Sequence, residues 1–242
     1  MKNPVIVVTG GGRGIGAAVA ILAARKGYAV CVNYLVDEVS ASKVVETIKS
    51  QGGVAIGVQA DISDQAQVTN LFNEVESSLG QISALVNNAG LSGGRHSLTE
   101  LDDDVLTRVL DVNVRGTFLC AKEALRCMVQ SGTKGGIVNI SSQTARFGGN
   151  LLSHYAASKA AVETFTLSLS REAATHGIRV NVVSPGIIEN KRLAEENREE
   201  LIKTIPLGRI GTTHDVAQSV LWLLSEQASY ITGVVLPVAG GR

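Results

Sequence analysis

Short apolar runs alternate with longer amphipathic stretches from one end of the chain to the other. Val5–Val8, Ala29–Val32, Val54–Val58, Ala84–Val86, Ile137–Ile140, Val180–Val183 and Val234–Val238 are rich in Val, Ile and Ala and show little polar alternation. Strands of that kind are buried on both faces, as in a parallel sheet covered by helices. Between them lie Ile15–Arg25, Glu38–Ser50, Gln65–Leu79, the long Asp103–Met128, Tyr155–Ala174 and Asp215–Leu224, with apolar positions at helical spacing. The alternation predicts an α/β fold: a single doubly wound Rossmann-type parallel sheet with helices on both faces. No proline- or serine-rich linker interrupts it, so residues 1–242 are expected to form one domain. Glu189–Lys203 alone departs from the pattern. It is charged, helix-prone and poor in apolar positions, which suits either an active-site lid or a surface connection.

Composition narrows the function classes. Apolar residues make up 45% and charged residues 18%, as suits a soluble chain with a large interior or an oligomer interface. The 22 basic and 22 acidic residues cancel, which argues against nucleic acid or an anionic membrane as partner. Cys31, Cys120 and Cys127 have no paired spacing and read as free thiols in a reducing compartment. The start of the chain lacks a secretory pattern, and its most apolar stretch, Ile15–Ala24, is too short to cross a bilayer, so a cytoplasmic location is expected. His96, His154, His176 and His214 are scattered without metal-ligand spacing, and no metal site is expected.

The first strand runs through Thr9-Gly10-Gly11-Gly12-Arg13-Gly14-Ile15-Gly16 into a helix. Glycines at a strand-to-helix turn let backbone N–H groups approach a phosphate at the positive end of the helix. A Walker loop is excluded because Ala17-Ala18 follow the last glycine, and the strict G-x-G-x-x-G spacing is absent. An acid at the end of the second strand would bind ribose hydroxyls and favour NAD, but Asn33-Tyr34 stand there and Asp37 lies beyond. With Arg13 in the loop, the reading favours NADP(H) over NAD(H).

Tyr155 and Lys159 are four residues apart in a helical stretch, so phenol and ammonium share a face. A nearby cation is expected to depress the phenol pKa, leaving a tyrosine able to exchange a proton with a carbonyl or alcohol oxygen. Ser142 lies thirteen residues before the tyrosine. His154 points about a third of a turn away and is left out of the site, whereas Arg146 and Phe147 fall where a substrate wall or a plain surface loop is expected.

Together these segments resemble the short-chain dehydrogenase/reductase family in its single-domain form, over nearly the whole chain. Thr9–Gly16 is similar to the family's cofactor loop, Asp61-Ile62 to its adenine contact, and Asn87-Asn88-Ala89-Gly90 to its fourth-strand motif. Asn113, Ser142, Tyr155 and Lys159 match the catalytic tetrad, and Ser184-Pro185-Gly186-Ile187-Ile188 the segment beside the nicotinamide. The resemblance implies a single NAD(P)-binding domain that interconverts a small-molecule carbonyl and alcohol. In that role Tyr155 is the general acid, Ser142 holds the oxygen and Lys159 binds the nicotinamide ribose, while Asn113 orders a water for proton resupply. It implies cofactor contacts from Gly10, Arg13, Gly14, Ile15, Gly16, Asn33, Tyr34, Asp61, Ile62, Asn88, Tyr155, Lys159, Pro185, Gly186 and Ile188. Asn190 stands where the family often has threonine, and Ala239 where it often has aspartate. Apolar residues beyond one stripe on Asp103–Met128 and Ser153–Ala174 (Phe118, Leu119, Ala160, Val162, Phe165, Leu169) call for a second partner, and the resemblance implies a homotetramer through these helices and through the last strand with Asp215–Leu224, with a dimer on the helices alone as the alternative. The other function classes are a non-catalytic dinucleotide-binding sensor, which has no need of the tetrad, and a hydrolase, which lacks its G-x-S-x-G elbow.

Overall fold

The computed structural model describes residues 3–190 and 198–242. Seven parallel strands form one sheet in the order β3-β2-β1-β4-β5-β6-β7. The strands are β1 (Val5–Val8), β2 (Ala29–Tyr34), β3 (Ala55–Gln59), β4 (Ile82–Asn87), β5 (Gly136–Ile140), β6 (Arg179–Pro185) and β7 (Val235–Val238). Their burial explains the near absence of polar alternation: every residue of β1 and β5 is buried.

Helices cover both faces. On one side α3 (Gln65–Ser78), α5 (Gly116–Ser131) and α7 (Ser153–Ala174) pack through Phe72, Leu71, Cys120, Cys127, Met128 and Leu169. On the other, α1 (Gly14–Arg25), α2 (Glu38–Ser50) and α9 (Thr213–Leu224) pack through Val19, Leu22, Val45, Ile48, Val220 and Leu223. The chain runs outward from β1 to β3 and then returns to β4 on the other side of β1. That reversal opens a crevice above the carboxyl ends of β1 and β4, where open α/β sheets bind ligands.

The expected long helix over Asp103–Met128 is interrupted. α4 (Asp103–Leu110) passes into a π-helical turn at Asp111–Arg115 before α5 begins. Asn113 lies in that wider turn, bonded sideways to a neighbouring loop rather than along the helix. Short helices α6 (Thr144–Phe147) and α8 (Arg198–Lys203) occupy stretches read as connections. Much of Glu189–Lys203 lies outside the described residues. Val162 and Leu169 turn out to face the interior, whereas Phe118 and Leu167 remain exposed on the outer face of α5 and α7. Phe118 stacks on Phe165 with ring centres 3.7 Å apart.

Candidate active site

β1 delivers the chain to Thr9, and the turn through Gly10–Gly12 into α1 is set by two asparagines. Asn33, buried at the end of β2, accepts from the Gly10 N–H through Oδ1 (3.3 Å) and from the Gly11 N–H through its carbonyl (2.9 Å). Its Nδ2 donates across to the carbonyls of Ala60 (3.1 Å) and Val58 (3.3 Å). Asn88, just past β4, donates from Nδ2 to the carbonyls of Thr9 and Gly10, both at 3.0 Å. The side-chain donors of both residues are spent on backbone, so what they offer a ligand is the shape of the loop.

That shape fits a dinucleotide. A Cβ on Gly16 would lie 2.4 Å from the Gly10 oxygen and 2.5 Å from Asn88 Nδ2, so only glycine allows this approach. Gly14, at φ +56°, has nothing within 4 Å of where a Cβ would stand, so the start of α1 faces open space. Arg13 is its extended N-cap residue, no side chain caps it, and no acid lies in its first turn. Uncapped N–H groups of Gly14, Ile15 and Gly16 at a positive helix end suit a diphosphate.

Around the adenosine end the chain is more committed. Tyr34 closes β2, and Asp37 beyond it caps α2 by accepting from the Ser40 N–H at 3.0 Å. Hydrogen bonds from Ser40, then the charges of Arg13 and Lys43, hold the Asp37 carboxyl below its usual range. Lys43 is thus a second cation near this point, supplied by α2 rather than by the strand end. Burial opposes ionisation of Asp61, but hydrogen bonds from Ser63 and the Arg108 guanidinium outweigh it and lower its pKa. Arg108 pairs with Asp61 at 3.2 Å. Ile62 is buried against Gly116, where a Cβ would come within 2.8 Å of it.

Asn113, Ser142, Tyr155 and Lys159 come together beside the crevice, from the π-turn, the end of β5 and the first turns of α7. Lys159 is buried and donates from Nζ to the Ile140 carbonyl at 2.8 Å. Burial lowers its ammonium from the ordinary 10.5 to about 8. Nζ stands 5.8 Å from the centre of the Tyr155 ring. The expected lowering of the phenol pKa is not what this structure gives. Burial pushes the Tyr155 hydroxyl above its usual value, and a hydrogen bond from Ser142 works against that.

Ser142 Oγ accepts from the Thr144 N–H (3.3 Å) and the Thr144 hydroxyl (3.0 Å), which leaves its own proton for Tyr155. Asn113 is fully buried, with three protein partners. Its Oδ1 accepts from the Leu91 N–H (2.7 Å), and its Nδ2 donates to the Leu91 carbonyl (2.8 Å) and Ser158 Oγ (2.9 Å). Gly90 fits between them: a Cβ there would lie 3.3 Å from Lys159 Nζ and 3.4 Å from Asn113 Oδ1.

At the end of β6, Pro185 accepts from the Gln143 N–H and Gly186 donates to the Val238 carbonyl, both at 3.0 Å. A Cβ on Gly186 would come within 2.8 Å of Ala239, so Ala239 bears on packing at this turn. Ile188 bridges to Gly211, and Asn190 donates from Nδ2 to the Ile188 carbonyl at 3.1 Å. Among the described residues no group of His, Cys, Asp or Glu gathers as a metal site, and no helix is long and apolar enough to cross a membrane.

Sequence reasoning missed Thr144, Lys43 and His154. His154 does point away from Tyr155, but it is buried rather than at the surface, with Nε2 2.9 Å from the Ser92 carbonyl. The adjacent glycines Gly93-Gly94 mark the loop that it meets.

Comparison with known proteins agrees over the same span. A family profile described as enoyl-(acyl carrier protein) reductase matches residues 10–242. The chain is 44% identical to the uncharacterized oxidoreductase YgfF of Escherichia coli (strain K12), covering 98% of this chain and 99% of that protein. It is 37% identical to glucose 1-dehydrogenase 2 of Bacillus subtilis (strain 168), covering 97% and 93%. With the 3-oxoacyl-[acyl-carrier-protein] reductase FabG of Staphylococcus aureus (strain N315) it shares 38% identity over 97% and 96%. The sheet, the glycine loop and these full-length likenesses lead to one conclusion: the chain belongs to the short-chain dehydrogenase/reductase family and is an NAD(P)-dependent oxidoreductase.

Proposed function

We propose that this protein interconverts a carbonyl and a secondary alcohol on a small molecule, prefers NADP(H) to NAD(H), and uses Tyr155 as its general acid and base. The observation that carries this reading is the meeting of Ser142, Tyr155 and Lys159 beside a crevice whose other wall is the glycine loop. A bound nicotinamide dinucleotide supplies or accepts the hydride. Backbone N–H groups of Gly14–Gly16 would hold its phosphates, Lys159 its nicotinamide ribose, Pro185, Gly186 and Ile188 its carboxamide, and Asp61 with Ile62 its adenine. Tyr155 donates its proton to the carbonyl oxygen in reduction and recovers it in oxidation. Ser142, its lone pairs engaged by Thr144, hydrogen-bonds the same oxygen and fixes it. A raised phenol pKa suits the acid role, since the proton is held until the oxygen gains charge.

The NADP(H) preference rests on neutral Asn33-Tyr34 and on two cations, Arg13 and Lys43, with Asp37 and Glu38 as the neighbouring acids. A 2′-phosphate would pair with those cations. The substrate is sought among sugars and 3-oxoacyl thioesters, the classes named in the relatives, with Arg146 and Phe147 exposed on α6 after Ser142. The protein is proposed to act as one domain, in the cytoplasm, as a homotetramer in which Phe118 and Leu167 on α5 and α7 are covered by a second copy. Trp222 on α9 and Val235 on β7 are the exposed apolar residues for the other contact.

The test is steady-state kinetics on a panel of ketones, glucose and a 3-oxoacyl thioester with both cofactors, followed by nicotinamide absorbance. Turnover with NADPH at a higher kcat/KM than NADH supports the reading. Dinucleotide binding without turnover on any carbonyl or alcohol would overturn it. Light scattering on the same sample tests the assembly, and a monomer at micromolar concentration would sink it.

A further inference from the structure

The loop between β4 and α4 starts at Gly90, against Lys159 and Asn113, and runs through exposed Leu91 and Ser92, half-buried Gly93 and exposed Gly94. It has neither helix nor strand bonding of its own. Gly93 and Gly94 both have positive φ, +74° and +91°. The carbonyls of this stretch are held one after another by side chains, two from α7 and the π-turn and one from further along the loop. Asn113 Nδ2 is 2.8 Å from the Leu91 oxygen, His154 Nε2 is 2.9 Å from that of Ser92, and His96 Nε2 is 2.9 Å from that of Gly93. A carbonyl only accepts, so each of these imidazole nitrogens carries the proton.

We propose that His154 is a positioning residue for the reaction, tying the wall loop Leu91–Gly94 to the same helical turn that carries Tyr155. His154 precedes Tyr155 on α7, so its bond to Ser92 makes the wall and the proton donor one rigid unit. Two details support a dedicated fit. A Cβ on Gly93 would lie 3.0 Å from His154 Nε2 and 2.7 Å from Val109, so loop, histidine and α4 are packed to contact. The other nitrogen, His154 Nδ1, is buried without a partner among the described residues. A buried acceptor left unbonded carries a cost, and the Nε2 bond to Ser92 offsets it. His96 packs edge-on to His154 with ring centres 6.0 Å apart and extends the clamp to Gly93.

The inference rests on the carbonyl-reductase reading for its kinetic consequence but not for its structural one, and the test separates the two. His154→Leu, His154→Gln and, from the loop side, Gly93→Ala are compared with the wild type. Amide hydrogen exchange over residues 91–94 is expected to quicken about fivefold to tenfold in His154→Leu and Gly93→Ala. His154→Gln, which keeps an N–H donor, should recover most of that protection. With NADPH and ethyl acetoacetate as probe, KM for the ester should rise by a similar factor in the first two variants. The NADPH dissociation constant should stay within about twofold, because the glycine loop is held by other residues. Unchanged exchange in His154→Leu and Gly93→Ala would overturn the proposal, as would equal loss in the Leu and Gln variants, which would mean the ring only fills space. If His154→Leu does not fold, Gly93→Ala carries the exchange test from the loop side. A wild-type protein that reduces no carbonyl, yet shows the exchange pattern, would fail the functional reading and leave the clamp standing.

Discussion

The two sides of the crevice are built on opposite principles. On the cofactor side, the polar side chains of Asn33 and Asn88 turn inward and spend their donors on the glycine loop and its neighbours. What faces the crevice there is backbone, brought close by the absence of a side chain at Gly14 and Gly16. On the side proposed for catalysis, Tyr155 and Lys159 would carry the chemistry themselves, and buried Asn113 and His154 bond to the loop beside them. A diphosphate is much the same in every dinucleotide, so rigid backbone can recognise it. A proton must be moved at one oxygen, and that needs a group whose charge can change.

This contrast predicts where substitutions hurt. Tyr155→Phe removes the proton donor and keeps the ring, so turnover should fall roughly 100- to 10,000-fold while cofactor binding stays nearly intact. More than a tenth of wild-type rate in that variant would mean that the proton comes from elsewhere.

Lys159 offers a sharper test because it is the one side chain here whose burial carries a clear cost. Its pKa falls from 10.5 to about 8 on burial, so between those values the unfolded chain holds more protons than the folded one. Stability therefore rises with pH across that window, and the penalty is complete below about 8. Lys159→Met should lose activity yet stabilise the protein near pH 7 by up to roughly 3 kcal/mol, less whatever the lost bond to Ile140 contributes. The advantage should shrink as pH rises toward 10.5. Chemical unfolding at a series of pH values checks it, and a pH-independent difference would show that the lysine is not buried as a cation.

Asn33→Leu probes the other wall. It leaves the Gly10 N–H and the Ala60 carbonyl without their partner, a loss on the order of 1–3 kcal/mol. Thermal stability and dinucleotide affinity should fall together while kcat at saturating cofactor changes little. A fall in kcat with unchanged affinity would contradict the division of labour between the two sides.

How much of this was legible in the sequence follows the same line. The strands were readable because Val and Ile runs such as Val5–Val8 are buried on both faces, and burial leaves its mark directly in composition. The closeness of Tyr155 and Lys159 was readable because helical spacing puts them on one face. The π-turn at Asp111–Arg115 was not, because Val109, Val112 and Asn113 satisfy an ordinary helical pattern and only the sideways bonds of Asn113 reveal the extra width. The pKa of Tyr155 was misread for a related reason. Spacing says that Lys159 is near, but only three dimensions say that the phenol itself is buried. His154 was set aside because helix geometry gives direction relative to Tyr155 and says nothing of the loop that arrives from β4.

The smallest effect concerns the choice between cofactors, where exposed charges act through solvent. Asp37 is the acid that faces both Arg13 and Lys43, and it would repel a 2′-phosphate attracted by them. Asp37→Asn should therefore raise the NADP(H)-to-NAD(H) ratio of kcat/KM by roughly threefold at low salt. Because the charges are screened over about 10 Å at 0.1 M salt, most of that gain should fade as ionic strength rises. Tyr34→Asp adds a carboxylate nearer the strand end and should move the ratio the other way, toward NAD(H). Loss of the Ser40 cap is held to a minimum in the first variant, since asparagine also caps helices well. The decisive measurement is the ratio itself across salt concentrations for all three proteins. If the wild type prefers NAD(H), or if Asp37→Asn leaves the ratio unmoved at low salt, then Arg13 and Lys43 do not read the 2′-phosphate, and discrimination belongs to the backbone that shapes the rest of this wall.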